Sequence, residues 1–517
     1  MGTEKIIYII CLSLVLITVI TFGIYRYNAY KLKSINTSAN RYSASINKVG
    51  NANYFNPKDG IYYADSKYSV VANDNTAYLL SLFKSESLVN LPAGNFLCKT
   101  KLVLKGKELS VIGIEGKSKI VFDSKTFSNS GVGSYSECLI INNNYDDEYH
   151  ADSAQSINIS KITFEYKRYS NNSPVTIMLF KNIKSANIKN CSFIADLPNG
   201  IAVTNLDFYN ACKNVTVSNC SFINKTKSSD GGGCIWVRNL TTQTQAVEGN
   251  TTEDIYITKC SFVKDSKDEV IAVFSVTGDV KDVVISHCDI KDYSNKQDII
   301  LSVFSSEDKY YGVVDNVIIN RNNIYTENFN AFVILTGIEN LKKPTSNVII
   351  ANNKIVSNSK NNSRKTIIYN AGNNTASNIV VNNNEINVTG SNYFAAVAGA
   401  TYAEGNKITG ALENGVYGGA VINNFITGAV NGIVNPMVAF KNEVLQVVYG
   451  IRVYEEDSCI NSNKIELNRT DGVSGVQINS LKNVTCTENS IRIFSNKQYG
   501  VITNNTVAVL SNNEVIV

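Results

Sequence analysis

A short motif recurs along most of this chain, and it constrains the fold more than any other feature. "KNVTVSNCSF" (213–222) is preceded by "SANIKNCSF" (185–193) and followed by "EDIYITKCSF" (253–262) and "KDVVISHCDI" (281–290). Each copy has an alternating β-branched run, a polar residue, one anchor residue and a second short run. A fixed core repeated with variable insertions predicts a solenoid whose loops leave from one side.

The anchor positions recur at intervals of 18 to 40 residues. They are Ile162, Cys191, Cys220, Cys260, Cys288, Asn322, Asn353, Asn384, Asn406, Asn424, Asn442, Asn463, Asn489 and Asn513. Helical repeats would need longer segments of period 3.6, whereas short β-branched runs between Asn, Gly and Ser predict parallel strands wound into a helix. The pattern predicts an all-β solenoid of about thirteen or fourteen coils.

The anchors are predicted to point inward at the turn between two strands and to form one column. Coils of a parallel β-helix stack about 4.8 Å apart, so that each asparagine amide meets the amide above and below it. Cysteine is small and nearly apolar, and it suits the same inward position. In an oxidising compartment, disulfides between Cys191 and Cys220 or between Cys260 and Cys288 are an alternative to simple packing.

Two further stretches connect these repeats to a known superfamily. "NDNTAYLLSLF" (73–83) precedes "VNLPAGNFLCKTKLVLKGKELSVIG" (89–113). They are similar to the "DDTA" helix and the "LPAGTY" segment that commonly open the fold of the pectate lyase-like right-handed parallel β-helix superfamily. The resemblance covers about residues 61–517 and implies a right-handed β-helix with a short capping helix. It leaves the reaction open, because that superfamily includes lyases, hydrolases, epimerases, tailspikes and non-catalytic members.

The N-terminus differs in kind from the repeats. Residues 6–25 contain no charged side chain, and a helix of twenty residues spans about 30 Å, the thickness of a bilayer core. The sequence predicts a short tail (1–5), a transmembrane anchor (6–25) and a spacer (26–60), with a cleaved signal peptide as the alternative. The predicted localisation is a single-pass membrane protein whose β-helix lies outside the cytoplasm, in the periplasm or at the cell surface.

Composition and missing motifs narrow the function. A net charge of +4 over 517 residues, without a basic run, argues against a nucleic-acid partner. The signatures "NTD", "GHG" and "RIK" of polygalacturonases, "WIDH" of pectate lyases and "DPHE" of mannuronan epimerases are absent. One of the two histidines, His150, lies in the acidic stretch 142–152, which is either a cation-binding or a solvated loop.

Four side chains are predicted to share one outer face. Strand alternation in "CIWVRN" (234–239) points Trp236 and Arg238 outward, and Phe274 and Phe304 have the register of Arg238 on the next two coils. An exposed aromatic row suits stacking against sugars, and these residues are therefore candidates for substrate binding. The alternative is that loops cover the rings as a secondary core.

Three acidic residues precede strands on consecutive coils. Asp230, Glu269 and Asp298 would stand about 5 or 10 Å apart, spacings that bracket retaining and inverting glycoside hydrolysis. In a lyase, such carboxylates would instead bind Ca²⁺, with Arg238 as base or charge stabiliser. The alternative is a set of ordinary polar turn residues.

The sequence therefore predicts a membrane-anchored polysaccharide-binding β-helix protein, with cleavage by a hydrolase or lyase reaction left open. A non-catalytic carbohydrate-binding, assembly or adhesion scaffold is the rival prediction. No cofactor is certain, and a homotrimer is one arrangement that the sequence leaves open.

Overall fold

A computed structural model describes residues 74–517 with interruptions at loops. The segments outside the described residues are 1–73, 86, 92, 105–107, 123–135, 142–154, 168–173, 198–200, 227–231, 240–250, 276–277, 295–298, 306–311, 328–331, 338–344, 359–364, 372–376, 455–456 and 505–506. The described chain is all-β apart from one helix, α1 (Thr76–Ser85). Its strands are short because each one crosses a single side of a coil.

The strands follow one another in a regular order. The first third comprises β1 (Leu88–Asn90), β2 (Gly94–Cys98), β3 (Leu102–Leu104), β4 (Leu109–Ile112), β5 (Ser118–Phe122), β6 (Ser136–Ile141), β7 (Gln155–Ser160), β8 (Thr163–Tyr166), β9 (Val175–Lys181), β10 (Ile183–Lys189), β11 (Ser192–Ala195), β12 (Val203–Tyr209), β13 (Lys213–Ser218), β14 (Ser221–Asn224) and β15 (Ile235–Asn239). The middle third comprises β16 (Thr251–Thr258), β17 (Ser261–Lys264), β18 (Ile271–Ser275), β19 (Asp279–Ser286), β20 (Asp289–Asp292), β21 (Ile299–Ser305), β22 (Val314–Asn320), β23 (Asn323–Thr326), β24 (Phe332–Thr336), β25 (Thr345–Ala351), β26 (Lys354–Ser357), β27 (Thr366–Asn370), β28 (Ser377–Asn382), β29 (Glu385–Ala398) and β30 (Tyr402–Glu404). The last third comprises β31 (Lys407–Tyr417), β32 (Ala420–Ile422), β33 (Phe425–Thr427), β34 (Asn431–Val434), β35 (Val438–Phe440), β36 (Glu443–Leu445), β37 (Tyr449–Val453), β38 (Ser458–Asn461), β39 (Lys464–Leu467), β40 (Ser474–Ile478), β41 (Val484–Thr487), β42 (Ser490–Ile493), β43 (Tyr499–Thr503), β44 (Val509–Ser511) and β45 (Glu514–Ile516).

Each coil contributes one strand to each of three faces. The first face is a sheet of sixteen strands in the order β1-β4-β7-β10-β13-β16-β19-β22-β25-β28-β30-β32-β35-β38-β41-β44. The second face runs from β2 through β14, β17 and β20 to β45, and the third face runs from β3 through β12, β15, β18 and β21 to β43. Long strands β29 and β31 bend around a corner and belong to both of the last two faces. Neighbouring coils pair in parallel along the molecule, as a β-helix requires.

The sixteen strands of the first face exceed the thirteen or fourteen coils that the anchors predicted. Strands β1 and β4 precede the first anchor, Ile162, and pair with each other and with β7. The two coils that contain β1 and β4 lack the repeated motif, and the number of anchors therefore underestimated the number of coils.

The predicted asparagine column is confirmed. From Asn322 to Asn489, the Nδ2 of each asparagine donates to the Oδ1 of the next at 2.8–3.1 Å. The same Oδ1 also accepts the main-chain N–H of the preceding anchor, for example Asn353 N to Asn384 Oδ1 at 2.9 Å. The second proton of Nδ2 goes to a main-chain carbonyl, such as that of Ile350 for Asn384. These amides are buried with their bonds made, and the ladder therefore ties the coils together without orphaned polar groups.

Cysteines fill the column on the preceding coils. Cys191, Cys220, Cys260 and Cys288 are buried free thiols whose Sγ–H donates to main-chain carbonyls at 3.3–3.7 Å. Burial raises the pKa of the Cys191 and Cys260 thiols well above its usual range. The structure therefore shows packing at these positions, in place of the alternative disulfides.

A stack of phenylalanines lines the interior beside the cysteines. Phe164, Phe193, Phe222 and Phe262 lie on successive coils, with ring centroids 4.8–5.2 Å apart and nearly parallel planes. Each ring follows an anchor by two residues, and the second position of the short pair is therefore a core position. Isoleucines continue this row on later coils, starting with Ile290 and Ile324.

The capping helix is also confirmed. Asp74 Oδ1 accepts the N–H of Thr76, the first residue of α1, at 3.0 Å, and α1 packs against β3. Asn75 is the N-cap, because its carbonyl accepts the first helical bond from Leu79 N at 2.9 Å. Although burial opposes it, hydrogen bonds from Thr76 and from the main chain of Lys99 lower the pKa of the Asp74 carboxyl. The helix covers an end of the solenoid that would otherwise present open strand edges.

No helix among the described residues is long and apolar enough to cross a membrane. This finding contradicts the prediction of a single-pass membrane protein as far as the described chain extends, and that localisation is withdrawn. The apolar segment 6–25 itself lies outside the described residues, as does the spacer.

Candidate functional site

The outward side chains of the third face meet as the sequence predicted. Tyr209, Arg238, Phe274 and Phe304 occupy one register position on β12, β15, β18 and β21. A parallel row, two residues earlier on each strand, contains Asp207 and then Trp236. The four predicted binding residues therefore form a single cluster with Asp207 and Tyr209, which we call the aromatic cluster.

The rings of this cluster differ in their exposure. Phe274 and Phe304 stack with centroids 5.4 Å apart and an interplanar angle of 6°, and both are half-buried. Trp236 meets Phe274 edge-on at 6.3 Å and is only 7% exposed. The exposed aromatic row is therefore smaller than predicted, because within the cluster only Phe274 and Phe304 are partly exposed.

Arg238 is held by an ion pair. Its Nη2 lies 2.5 Å from Asp207 Oδ2, and its Nε lies 3.0 Å from Oδ1. The guanidinium packs 4.8 Å from the Trp236 ring centroid and 4.9 Å from that of Tyr209. Burial raises the pKa of Asp207, and the guanidinium of Arg238 opposes that shift. Since its partner is a carboxylate, Arg238 carries little free charge and is better suited to positioning rings than to acting as a base.

Glu269 lies at the entrance to β18, beside the cluster. The main-chain N–H groups of Cys234 and Ile235 both donate to Val270 O, which ties the start of β15 to the residue after Glu269. Burial, followed by the charge of the neighbouring Asp268, raises the pKa of the Glu269 carboxyl. A raised pKa favours the protonated carboxyl, which is the form that a general acid needs.

The glycine turn before β15 is shaped by the tryptophan. A Cβ on Gly233 would lie 2.7 Å from Trp236 Nε1 and 2.7 Å from Glu269 O, so that only glycine fits. Gly232 N donates to Asp268 Oδ2 at 2.8 Å, which ties this turn to the next coil. The missing side chain at Gly233 therefore leaves room for the Trp236 indole next to the main chain of Glu269.

Two of the predicted acidic residues, Asp230 and Asp298, lie outside the described residues, as does His150. Their alignment with Glu269 stays a prediction. Within the described part of the chain, no group of three or more His, Cys, Asp or Glu side chains could hold a metal ion. The Ca²⁺ proposal therefore depends on the undescribed loops.

Sequence reasoning missed four members of this region: Glu137, Lys181, Asp207 and Tyr209. Lys181 Nζ lies 5.7 Å from the Tyr209 ring centroid. Burial raises the pKa of the Glu137 carboxyl, which also interacts with the charges of Lys101, Asp207 and Arg238. Asp207 and Tyr209 lie on β12, which spans Val203–Tyr209. Alternation in "VTNLDFY", started at Val203, would have pointed to Asp207 and Tyr209.

Comparisons with known proteins leave the site open. No protein-family model and no curated protein match the chain. The surface protein and adhesin PfbA of Streptococcus pneumoniae is 13% identical, with 87% of this chain and 98% of that chain covered and a TM-score of 0.42. A mutant tailspike protein of E. coli bacteriophage HK620, in complex with a pentasaccharide, is 10% identical, with 85% and 77% covered and a TM-score of 0.48.

The coils, the ladder and the parallel faces define this chain as a parallel β-helix protein. They confirm, at the level of the fold, the resemblance to the pectate lyase-like superfamily. Function must be argued from the side chains, because this fold supports many activities.

Proposed function

We propose that the protein binds a polysaccharide on the outer side of its third face, at the aromatic cluster. The observation that carries this proposal is the half-exposed stack of Phe274 and Phe304. The two stacked rings face each other, and their edges form an apolar strip in line with the solenoid axis that can contact the C–H groups of consecutive sugars. The buried Asp207–Arg238 pair and Trp236 lie on the two preceding coils, and the Arg238 guanidinium supports one end of this strip, 5.9 Å from the Phe274 ring centroid.

Cleavage of the bound polymer is the finer part of the proposal. Glu269 would act as a general acid, since its raised pKa favours the protonated carboxyl. Asp230 or Asp298 would supply the second carboxylate, as nucleophile or base in a hydrolase or as a Ca²⁺ ligand in a lyase. The rival function is a non-catalytic carbohydrate-binding scaffold, and the neutralisation of Arg238 by Asp207 favours it.

The binding proposal is tested with the double variant Phe274→Ala/Phe304→Ala against a panel of polysaccharides. Loss of both stacked rings should weaken binding by about 1–3 kcal/mol, the scale for removal of an aromatic anchor. Phe425→Ala is the matched control, because Phe425 is also half-buried but lies on β33 in the second face. Equal affinity of the double variant and the wild type would reject this face as the binding site.

The cleavage proposal is tested with Glu269→Gln, which keeps the shape of the side chain and removes its acid. Turnover should be lost while binding of the same polymer is retained. New reducing ends alone indicate a hydrolase, and ultraviolet absorbance of unsaturated uronates indicates a lyase. A wild-type protein that binds a polymer and releases neither product is a scaffold.

A further inference from the structure

An elongated groove runs along the outside of the turn that contains the anchor residues, between the first and second faces. We call it the corner groove. It has a volume of about 590 Å³ and extends over six coils, from Glu115 at one end to Asp289 at the other. Six coils stacked about 4.8 Å apart correspond to about 24 Å along the axis. This corner groove lies on a different side of the coil from the aromatic cluster, and none of the members of that cluster lines it.

One wall of the groove is a row of hydroxyl groups. Thr163, Ser192, Ser221 and Ser261 are the first residues of β8, β11, β14 and β17 and pair with one another in register. The phenylalanines that follow them point inward, and alternation therefore points the hydroxyls outward. The wall thus repeats one donor and acceptor group about every 4.8 Å.

The other wall is built from left-handed turn residues. Lys161, Asn190, Asn219, Lys259 and His287 have φ between 51° and 59°, and each one immediately precedes an anchor. Lys161 and Lys259 are exposed and make no ion pair among the described residues. Burial lowers the pKa of His287, and the nearby cations Arg321 and Lys259 lower it further.

The same two rows look different on later coils. Beyond Asp289, the register position of the hydroxyl row is occupied by Asn323, Lys354, Glu385 and Lys407. Asn323 bonds to Asp289 at 3.0 Å, and Lys407 lies 3.9 Å from Glu385. The unbroken row of hydroxyl groups is therefore limited to the corner groove.

We propose that the corner groove binds a linear polysaccharide that carries carboxylate groups. Hydroxyl or amide side chains on the four central coils match the hydroxyls of a sugar chain, and the two exposed lysines match its carboxylates. These four central coils contribute no carboxylate to the lining, and acidic residues lie only at the ends. A nucleic acid would require denser positive charge and stacking rings, whereas no aromatic residue lines the groove.

The test uses short oligogalacturonates, with the same oligomers after reduction of their carboxyl groups as the neutral probe. The double variant Lys161→Gln/Lys259→Gln should bind the acidic oligomers at least 10-fold more weakly, and the wild type should bind the reduced oligomers equally weakly. Binding by the wild type should weaken with added salt, since exposed charges are screened. The control is Lys441→Gln, because Lys441 is exposed and has the same turn conformation (φ 54°) on a later coil outside the groove.

Two further variants separate this site from the aromatic cluster and from unspecific attraction. Ser221→Tyr fills the middle of the groove and should abolish binding, whereas Phe274→Ala/Phe304→Ala should leave it intact. The proposal is overturned if the lysine variant binds like the wild type, if acidic and reduced oligomers bind equally, or if single-stranded DNA binds more tightly. Loss of binding only in the phenylalanine variant would assign the acidic polymer to the aromatic cluster instead.

Discussion

The cysteine-anchored coils and the asparagine-anchored coils perform the same turn with different chemistry. In the asparagine region, each amide makes two strong bonds through Oδ1 and two through Nδ2, at 2.8–3.1 Å. In the cysteine region, the thiols make only long contacts to carbonyls, such as Cys220 Sγ to Ser218 O at 3.4 Å. The cysteine-anchored coils gain their cohesion instead from the phenylalanine stack.

The two regions also differ in what they carry on the outside. Anchors in the cysteine region are up to 40 residues apart, and both the aromatic cluster and the corner groove lie there. From Asn406 to Asn463 the intervals fall to 18–21 residues, and the coils become tight. The close approach of neighbouring coils is clear at Gly450, because a Cβ there would lie 2.3 Å from Gly475 O on the next coil. Both proposed binding surfaces therefore lie in the cysteine region, where the coils are longer.

The largest expected effect is in the asparagine ladder. Asn384→Ala should lower the free energy of unfolding by about 3 kcal/mol, because the Asn353 amide, the Asn353 N–H and the Ile350 carbonyl all lose a buried partner. Denaturant unfolding measures this change. The matched control is Asn387→Ala, since Asn387 is exposed on the same strand, β29. A change at Asn384 no larger than at Asn387 would show that the ladder contributes little.

A smaller effect is expected in the cysteine column. Cys220→Ala should cost about 1 kcal/mol, because it removes one buried sulfur atom and two weak contacts to the carbonyls of Ile188 and Ser218. The same unfolding measurement compares it directly with Asn384→Ala. Equal losses at the two positions would mean that the thiol column is as cohesive as the amide ladder.

The smallest effect concerns the pH dependence of stability at Glu269. Its pKa in the folded protein is raised above the ordinary value of 4.5, so the protonated form is favoured by folding. This contribution is fully present below pH 4.5 and is lost as the pH rises through the raised pKa. Glu269→Gln should remove that slope in a series of unfolding curves from acid to neutral pH. An unchanged slope would assign the pH dependence to other carboxyls.

The sequence by itself determined the scaffold. Alternation around the anchors predicted parallel coils, and the choice of Asn at positions such as Asn384 predicted a bonded column, because both depend on local periodicity and on stacking of identical turns. The capping helix after Asp74 followed from its N-cap residue and an apolar run. The register of Phe274 and Phe304 with Arg238 was also correct, since the repeat itself sets it.

Only the tertiary structure decided which side chains meet and how much of each is exposed. β12 begins at Val203, and its pairing with β15 brings Asp207 close to Arg238. This register is set by pairing between coils, and local alternation in the sequence does not specify it. Burial of Trp236 depends on packing around it, and the corner groove depends on residues such as Ser192 and Ser221 that are ordinary in sequence. Outward residues carry little pattern, because their partners lie on other coils, tens of residues away along the chain.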